Sequence, residues 1–274
     1  MTDSTSLALE RWLRAVPLRA VACSGGVDSM LLATLAHRQN SGGTTVVHDV
    51  TPAVPAAATS RVVEHAAAQG WNLRLITSDE FADEQYLANP RDRCYYCKSH
   101  LYSAMSRVTQ SHRVDDGATL LSGANADDLE EYRPGLRAAN ERGVRHPYVE
   151  LGIAKAGIRR MARELGLDFA ELPASPCLSS RLYTGTRVTA QRLRAIEVGE
   201  ELLRRATGLA VVRCRIDDSS VRVEVPSADM NRIEGSVLGP VLAAMQFIEP
   251  QLVHIEADPR GYRPGRAFEL TVRA

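Results

Sequence analysis

The apolar stretch Leu18–Cys23 predicts a strand, and a helix opens near Asp28. After a turn at Asn40-Ser41-Gly42-Gly43, the β-branched run Thr44–Val50 predicts a second strand leading into Thr51-Pro52. A helix follows from about Ala56 to Gln69, with Gly70 just past its end, and Trp71–Thr77 is the next strand. Tyr95–Thr109 reads as helical, Thr119–Ser122 as a strand, and Lys155–Leu165 as a helix stopped by Gly166. This alternation predicts an α/β fold with a doubly wound parallel sheet in residues 1–175, and ligands then belong at the carboxyl ends of its strands.

The pattern changes after Pro173–Thr189, a loop rich in Pro, Ser and Gly. A helix is expected over Ala190–Thr207, strands at Val211–Ile216 and Val221–Val225, a helix beginning near Pro226, and strands near Val253 and Phe268. Residues 190–274 therefore read as a smaller α+β domain. With 274 residues, 45% of them hydrophobic, the chain is long enough to bury the cores of two domains.

Charge narrows the partners. The formal net charge is zero, so no global field draws in nucleic acid or an anionic membrane. No segment approaches the ~18 apolar residues of a membrane span, and the first ten residues lack a basic region followed by an apolar run, so a cytoplasmic location is expected. Five cysteines are too few for a disulfide scaffold in a chain of this length, which leaves thiols, metal ligands or redox groups.

The sharpest local signal is Ser24-Gly25-Gly26-Val27-Asp28-Ser29, a glycine turn between strand and helix. Glycines let backbone approach an anion closely, and the free N–H groups and dipole of a helix start bind negative charge. Ser24 and Ser29 add hydroxyl donors. No GK[ST] follows, so this is not a Walker loop. Instead the segment resembles the SGGxDS signature of the PP-loop ATP pyrophosphatases, which split ATP between the α and β phosphates and activate a substrate as an adenylate.

Gly123, Asp127 and Asp128 lie beyond the strand ending at Ser122. Asp28 and Asp127 are candidates for Mg²⁺ or its waters, since Mg²⁺ takes one or two carboxylates beside phosphates. The plain alternative is a helix cap. Only two of the 33 basic residues are lysines, and one of them, Lys98, is placed to neutralise phosphate or the charge developing on phosphorus.

Arg93-Cys94-Tyr95-Tyr96-Cys97-Lys98 contains a CxxC pair, and Cys177 follows in Ser175-Pro176-Cys177-Leu178-Ser179-Ser180-Arg181. Three thiolates at one metal centre would leave a coordination position open for chemistry. Cys23 and Cys214 sit in strand-like apolar settings and read as small hydrophobes. Arg213 and Arg215 alternate along a strand, so their guanidinium groups share a face. Two such forks suit a phosphate, whereas a cross-strand ion pair is the plain alternative.

Taken together, SGGVDS, RCYYCKSHLY, SGANADDLEEYRPG, SPCLSSR, GTRVT and VRCR make the chain resemble the LarE family of sulfur transferases over nearly its whole length. The resemblance implies that ATP adenylates a carboxylate of a nicotinate-derived mononucleotide and that sulfur then displaces AMP, giving a thiocarboxylate for a nickel pincer cofactor. One branch of that family sacrifices a lone cysteine; another pairs it with CxxC to hold a [4Fe–4S] cluster carrying an extra sulfide. The pattern here implies the second, with Cys94, Cys97 and Cys177 as ligands and hydrosulfide as nucleophile. It further implies that Arg213 and Arg215, near Ser180 and Arg181, bind the mononucleotide phosphate, that Glu200 contacts a metal, and that the protein is a homo-oligomer. One departure is Leu182-Tyr183-Thr184-Gly185-Thr186, where the family often has an aromatic-Pro-Tyr-Gly-Thr run. A tRNA thiolase and a nucleotide- or redox-sensing module are the competing readings. With fourteen arginines against twelve acids, residues 181–274 offer the first of these little basic surface.

Overall fold

A computed structural model describes residues 4–110, 117–130 and 132–263. In chain order the elements are α1 (Ser4–Arg14), β1 (Arg19–Ala22), α2 (Val27–Gln39), β2 (Thr44–Asp49), α3 (Ala56–Gln69), β3 (Asn72–Ile76), α4 (Glu84–Leu87), α5 (Arg93–Gln110) and β4 (Thr119–Ser122). There follow α6 (Pro134–Glu141), α7 (Pro147–Glu150), α8 (Lys155–Glu164), α9 (Ala190–Thr207), β5 (Arg213–Asp217), β6 (Ser220–Glu224), α10 (Gly235–Ile248) and β7 (His254–Ala257). The chain divides into two compact units, Met1–Glu80 with Cys94–Ala174, and Phe81–Arg93 with Ser175–Ala274.

The first unit is built on a parallel sheet of order β3-β2-β1-β4. Neighbouring residues of each strand serve opposite faces, because side chains alternate across a strand. Val21, Val46 and Leu121 pack into a core with Leu9, Leu31 and Phe169, while Ala20, Val47 and Leu120 pack with Leu101, Tyr102 and Met105. Both faces are thus covered, as a parallel sheet requires. Helix α2 is buried continuously from Met30 to Ala36, which explains why its sequence lacks a polar stripe. At its far end buried Arg19 donates to the Val16 and Ala36 carbonyls, at 2.8 Å each, and to the Leu13 carbonyl, satisfying groups that helices leave unpaired. The chain passes from β1 outward through β2 and β3, then returns to place β4 on the other side of β1. The topological switch therefore falls between the carboxyl ends of β1 and β4.

The second unit carries a mixed sheet of order β5-β6-β7, antiparallel at β5–β6 and parallel at β6–β7. The hairpin turns at Asp218 and Ser219, with Asp218 at φ 55°, the left-handed conformation that tight hairpins require. A Cβ added to Gly199 of α9 would lie 2.6 Å from Met245 Sδ and 3.3 Å from Cys214 Sγ, so glycine is what lets α9, α10 and β5 close on one another.

Residues 81–93, expected as part of the nucleotide-binding half, go with the second unit. Asn89, buried and at φ 53°, donates from Nδ2 to the Tyr183 and Thr186 carbonyls, at 2.8 Å each, and backbone bonds join Val188 to Leu87 and Gly185 to Asn89. The helix expected near Pro226 is a 3₁₀ turn, Ser227–Arg232, and α10 starts only at Gly235. The strand expected near Phe268 lies outside the described residues. Among the described residues no helix is long and apolar enough to cross a membrane.

Candidate functional site

At the switch point the chain leaves β1 as Cys23-Ser24-Gly25-Gly26 and enters α2. Gly25 has φ 79°, and a Cβ there would lie 2.8 Å from the Ala58 carbonyl oxygen of α3, so both conformation and space call for glycine. Gly26 is the N-cap of α2 and supplies no side chain, leaving the helix's first N–H groups to another acceptor. Ser29 Oγ accepts from the Ser24 N–H (3.0 Å) and donates to the Gly26 carbonyl (3.1 Å), while Ser24 Oγ sits 3.1 Å from it. The result is a folded-back loop with two hydroxyls and a helix start, which is what an anion cradle requires.

Gly123, just past β4, faces the same helix start. A Cβ there would fall 2.9 Å from Ser29 N and 3.0 Å from Ser29 Cα, both backbone atoms. The two strand ends therefore share one crevice. Asn125, fully buried, donates to Asp28 Oδ2 at 2.8 Å, and Tyr148 donates to the Asp28 carbonyl at 3.1 Å. Burial raises the Asp28 carboxyl above its ordinary range, with the Asn125 bond opposing.

Asp127 Oδ2 accepts from the Lys155 N–H at the start of α8 (2.9 Å), so the cap alternative describes its position. Asp128 is buried, accepts from the Asn125 N–H at 3.1 Å, and pairs with Arg133 (2.8 Å) and Lys155 (3.4 Å).

Cys94 and Cys97 stand three residues apart on α5, hence neighbours on one helix surface; both are half-buried and neither is in a disulfide. Lys98 follows on the same helix. A Cβ at Gly135 would meet Lys98 Cγ at 2.9 Å, which accounts for the glycine in Tyr132-Arg133-Pro134-Gly135: it lets α6 approach α5.

In the second unit Cys177, also free and half-buried, is the N-cap of a 3₁₀ turn, Leu178–Arg181. Its carbonyl accepts from the Ser180 N–H (3.0 Å), Ser180 Oγ (2.7 Å) and Arg181 Nη1 (3.0 Å), and Arg181 also reaches the Pro176 carbonyl at 2.6 Å. Arg181 is held from behind by Glu200, at 2.9 Å, with both side chains at most 2% exposed. Glu200 also takes Arg204 (3.0 Å) and the Cys214 N–H (3.3 Å).

The Glu200 carboxylate, expected to contact a metal, is held by two arginines and a backbone N–H. Arg181 braces the cysteine loop, and Arg215, buried, pairs with Glu224 at 2.7 Å while donating to the Ser180 carbonyl at 2.9 Å. Arg213 is buried as well, donating to the Val212 carbonyl and lying 5.5 Å from the Tyr262 ring centre. Both arginines share a face as alternation demands, but protein groups hold them. Cys23 and Cys214 are buried, and burial pushes the Cys23 thiol up to about 11 and Cys214 well above its ordinary value, so neither is a ready thiolate. Among the described residues no three His, Cys, Asp or Glu side chains surround a position for a single metal ion.

No family model matches the chain. An uncharacterised protein of Synechocystis sp. is 32% identical over 271 residues, covering 97% of each chain. The pyridinium-3,5-bisthiocarboxylic acid mononucleotide synthase of Lactiplantibacillus plantarum is 29% identical over 263 residues, 93% of this chain and 90% of its own. The chain belongs to the LarE family of sulfur transferases. A third relative, an uncharacterised protein of Methanocaldococcus jannaschii, is 30% identical over 184 residues, 67% of this chain and 68% of its own.

For this LarE protein the structure adds residues that no motif announced. Arg61 of α3 donates to the Gly25 carbonyl at 2.7 Å, and buried His48 holds the Cys23 carbonyl at 2.7 Å through Nδ1. Neither carried a sequence signal, because each lies more than twenty residues from the loop it supports.

Proposed function

We propose that this LarE protein is an ATP-dependent sulfur transferase acting on a nicotinate-derived mononucleotide. The observation that carries the reading is the crevice where Ser24, Gly25, Gly26 and Ser29 meet Gly123 at the carboxyl ends of β1 and β4. Phosphates of MgATP rest on the α2 N-terminus and the two serine hydroxyls, with Asp28 and Asp127 ordering the metal's waters and Lys98 offsetting negative charge. A substrate carboxylate oxygen attacks the α-phosphorus, pyrophosphate leaves, and the acyl adenylate forms. Hydrosulfide sulfur then adds to the acyl carbon; AMP departs with the original carboxylate oxygen, a proton is released, and a thiocarboxylate remains.

Cys94, Cys97 and Cys177 are the residues we assign to a [4Fe–4S] cluster. Soft, half-buried cysteine sulfurs outside any disulfide are the donor set such iron takes, and three of them would leave one iron open to carry sulfide as the sulfur source. The chain's own part is to fix Cys177 through Arg181, Glu200 and Ser180 so that its backbone does not yield. Ser180, on the 3₁₀ turn, and Arg213 and Arg215, on β5, remain the proposed neighbours of the mononucleotide phosphate. The product is a nickel pincer cofactor precursor, the setting is cytoplasmic, and the assembly is a homo-oligomer.

Incubation of anaerobic protein with MgATP and the mononucleotide tests this directly. AMP, pyrophosphate and a sulfur-containing product are expected. ADP with phosphate, or AMP without sulfur in the product, would overturn it.

A further inference from the structure

A cation stands behind the glycine loop. Half-buried Arg61, on α3, donates from Nη1 to the Gly25 carbonyl at 2.7 Å. In a planar trans peptide the C=O and the following N–H point opposite ways. With its oxygen drawn toward α3, the Gly25–Gly26 peptide turns its N–H to the other side, where Ser24 Oγ lies 3.5 Å away. The same helix supplies the Ala58 carbonyl that lies against Gly25, so α3 sets both the position and the tilt of this peptide plane.

We propose that Arg61 is a positioning residue for the ATP triphosphate, acting through the Gly25–Gly26 peptide. It fixes the direction of the Gly26 N–H before nucleotide arrives, and its charge on the carbonyl oxygen polarises the peptide, which strengthens the N–H as a donor to phosphate. The guanidinium fork suits this role because one nitrogen holds the carbonyl while the delocalised charge stays close behind the loop. The inference rests on the proposed seating of ATP phosphates in this loop.

The test is calorimetric titration of MgATP into the full chain, for the wild type, Arg61→Lys and Arg61→Ala, with thermal unfolding of each. Arg61→Ala should weaken MgATP binding about tenfold, and Arg61→Lys should recover part of it, since a lysine restores charge without the fork. Thermal midpoints should stay close together, because Arg61 is only half-buried. If wild type binds MgATP and Arg61→Ala binds it equally well, the positioning role is wrong while the loop assignment stands. If wild type itself does not bind, the loop assignment fails and the role of Arg61 falls with it. Should Arg61→Ala not fold, Arg61→Lys against wild type decides: unchanged affinity overturns the proposal and a several-fold loss supports it.

Discussion

At the scale of single residues, the first unit hides a carboxyl pair that the sequence does not advertise. Ser78 Oγ lies within hydrogen-bond reach of both Asp49 (2.5 Å) and the buried Glu80, but a hydroxyl has one proton to give. The second contact therefore needs a proton on a carboxyl. Burial raises the Glu80 carboxyl above its ordinary range against the opposing pull of the Ser78 bond, and the neighbouring Asp49 charge adds to the rise. Stability from protonated Glu80 is complete below the ordinary carboxylate range and is lost as pH climbs through the raised value. Glu80→Gln should thus gain on wild type as pH rises above the ordinary carboxylate range, with the gap closing as pH falls back through it. Thermal unfolding across that range checks it, and a gap independent of pH would contradict it. Glu200 leads to the opposite expectation. Glu200→Ala leaves Arg181 buried without its partner and should cost about 3–5 kcal/mol whether or not metal is present. Denaturant unfolding with and without chelator measures this, and a loss seen only in the metal-loaded protein would restore Glu200 as a ligand.

At the scale of elements, the glycine loop was legible because its chemistry is local: strand, two glycines and helix stand within a dozen residues. The α3 helix with Gly70 in the left-handed conformation, the β4 strand and the α9 helix were equally plain, since caps and periodicity are short-range signals. Arg213 and Arg215 show the limit. Alternation tells which face a side chain takes, but not that Glu224 and the Ser180 carbonyl wait on that face. The attachment of residues 81–93 to the second unit was equally hidden, because it rests on Asn89 bonding residues more than ninety positions away. Two predictions belong here. Gly123→Ala drives a methyl carbon against the Ser29 backbone and should abolish MgATP binding while leaving the far ends of the strands intact; undiminished binding would remove Gly123 from the site. Asp127→Asn keeps a capping acceptor for α8, so stability should hold within about 0.5 kcal/mol. Pyrophosphate release should still fall if the carboxylate charge serves Mg²⁺; unchanged release across Mg²⁺ concentrations would leave Asp127 as a cap alone.

At the scale of the whole molecule, one unit carries the glycine-loop crevice and the CxxC helix, and the other carries Cys177 on a turn braced by buried arginines. In the proposed reaction, sulfur reaches the activated carboxylate without Cys177 giving up its own atom. The most direct measurement is mass spectrometry of an anaerobic reaction containing MgATP, sulfide and an excess of mononucleotide, reading product and intact chain together. More than one thiocarboxylate per chain is expected, with the mass of the chain unchanged. Product that halts at one per chain, with one sulfur missing at position 177, would contradict it.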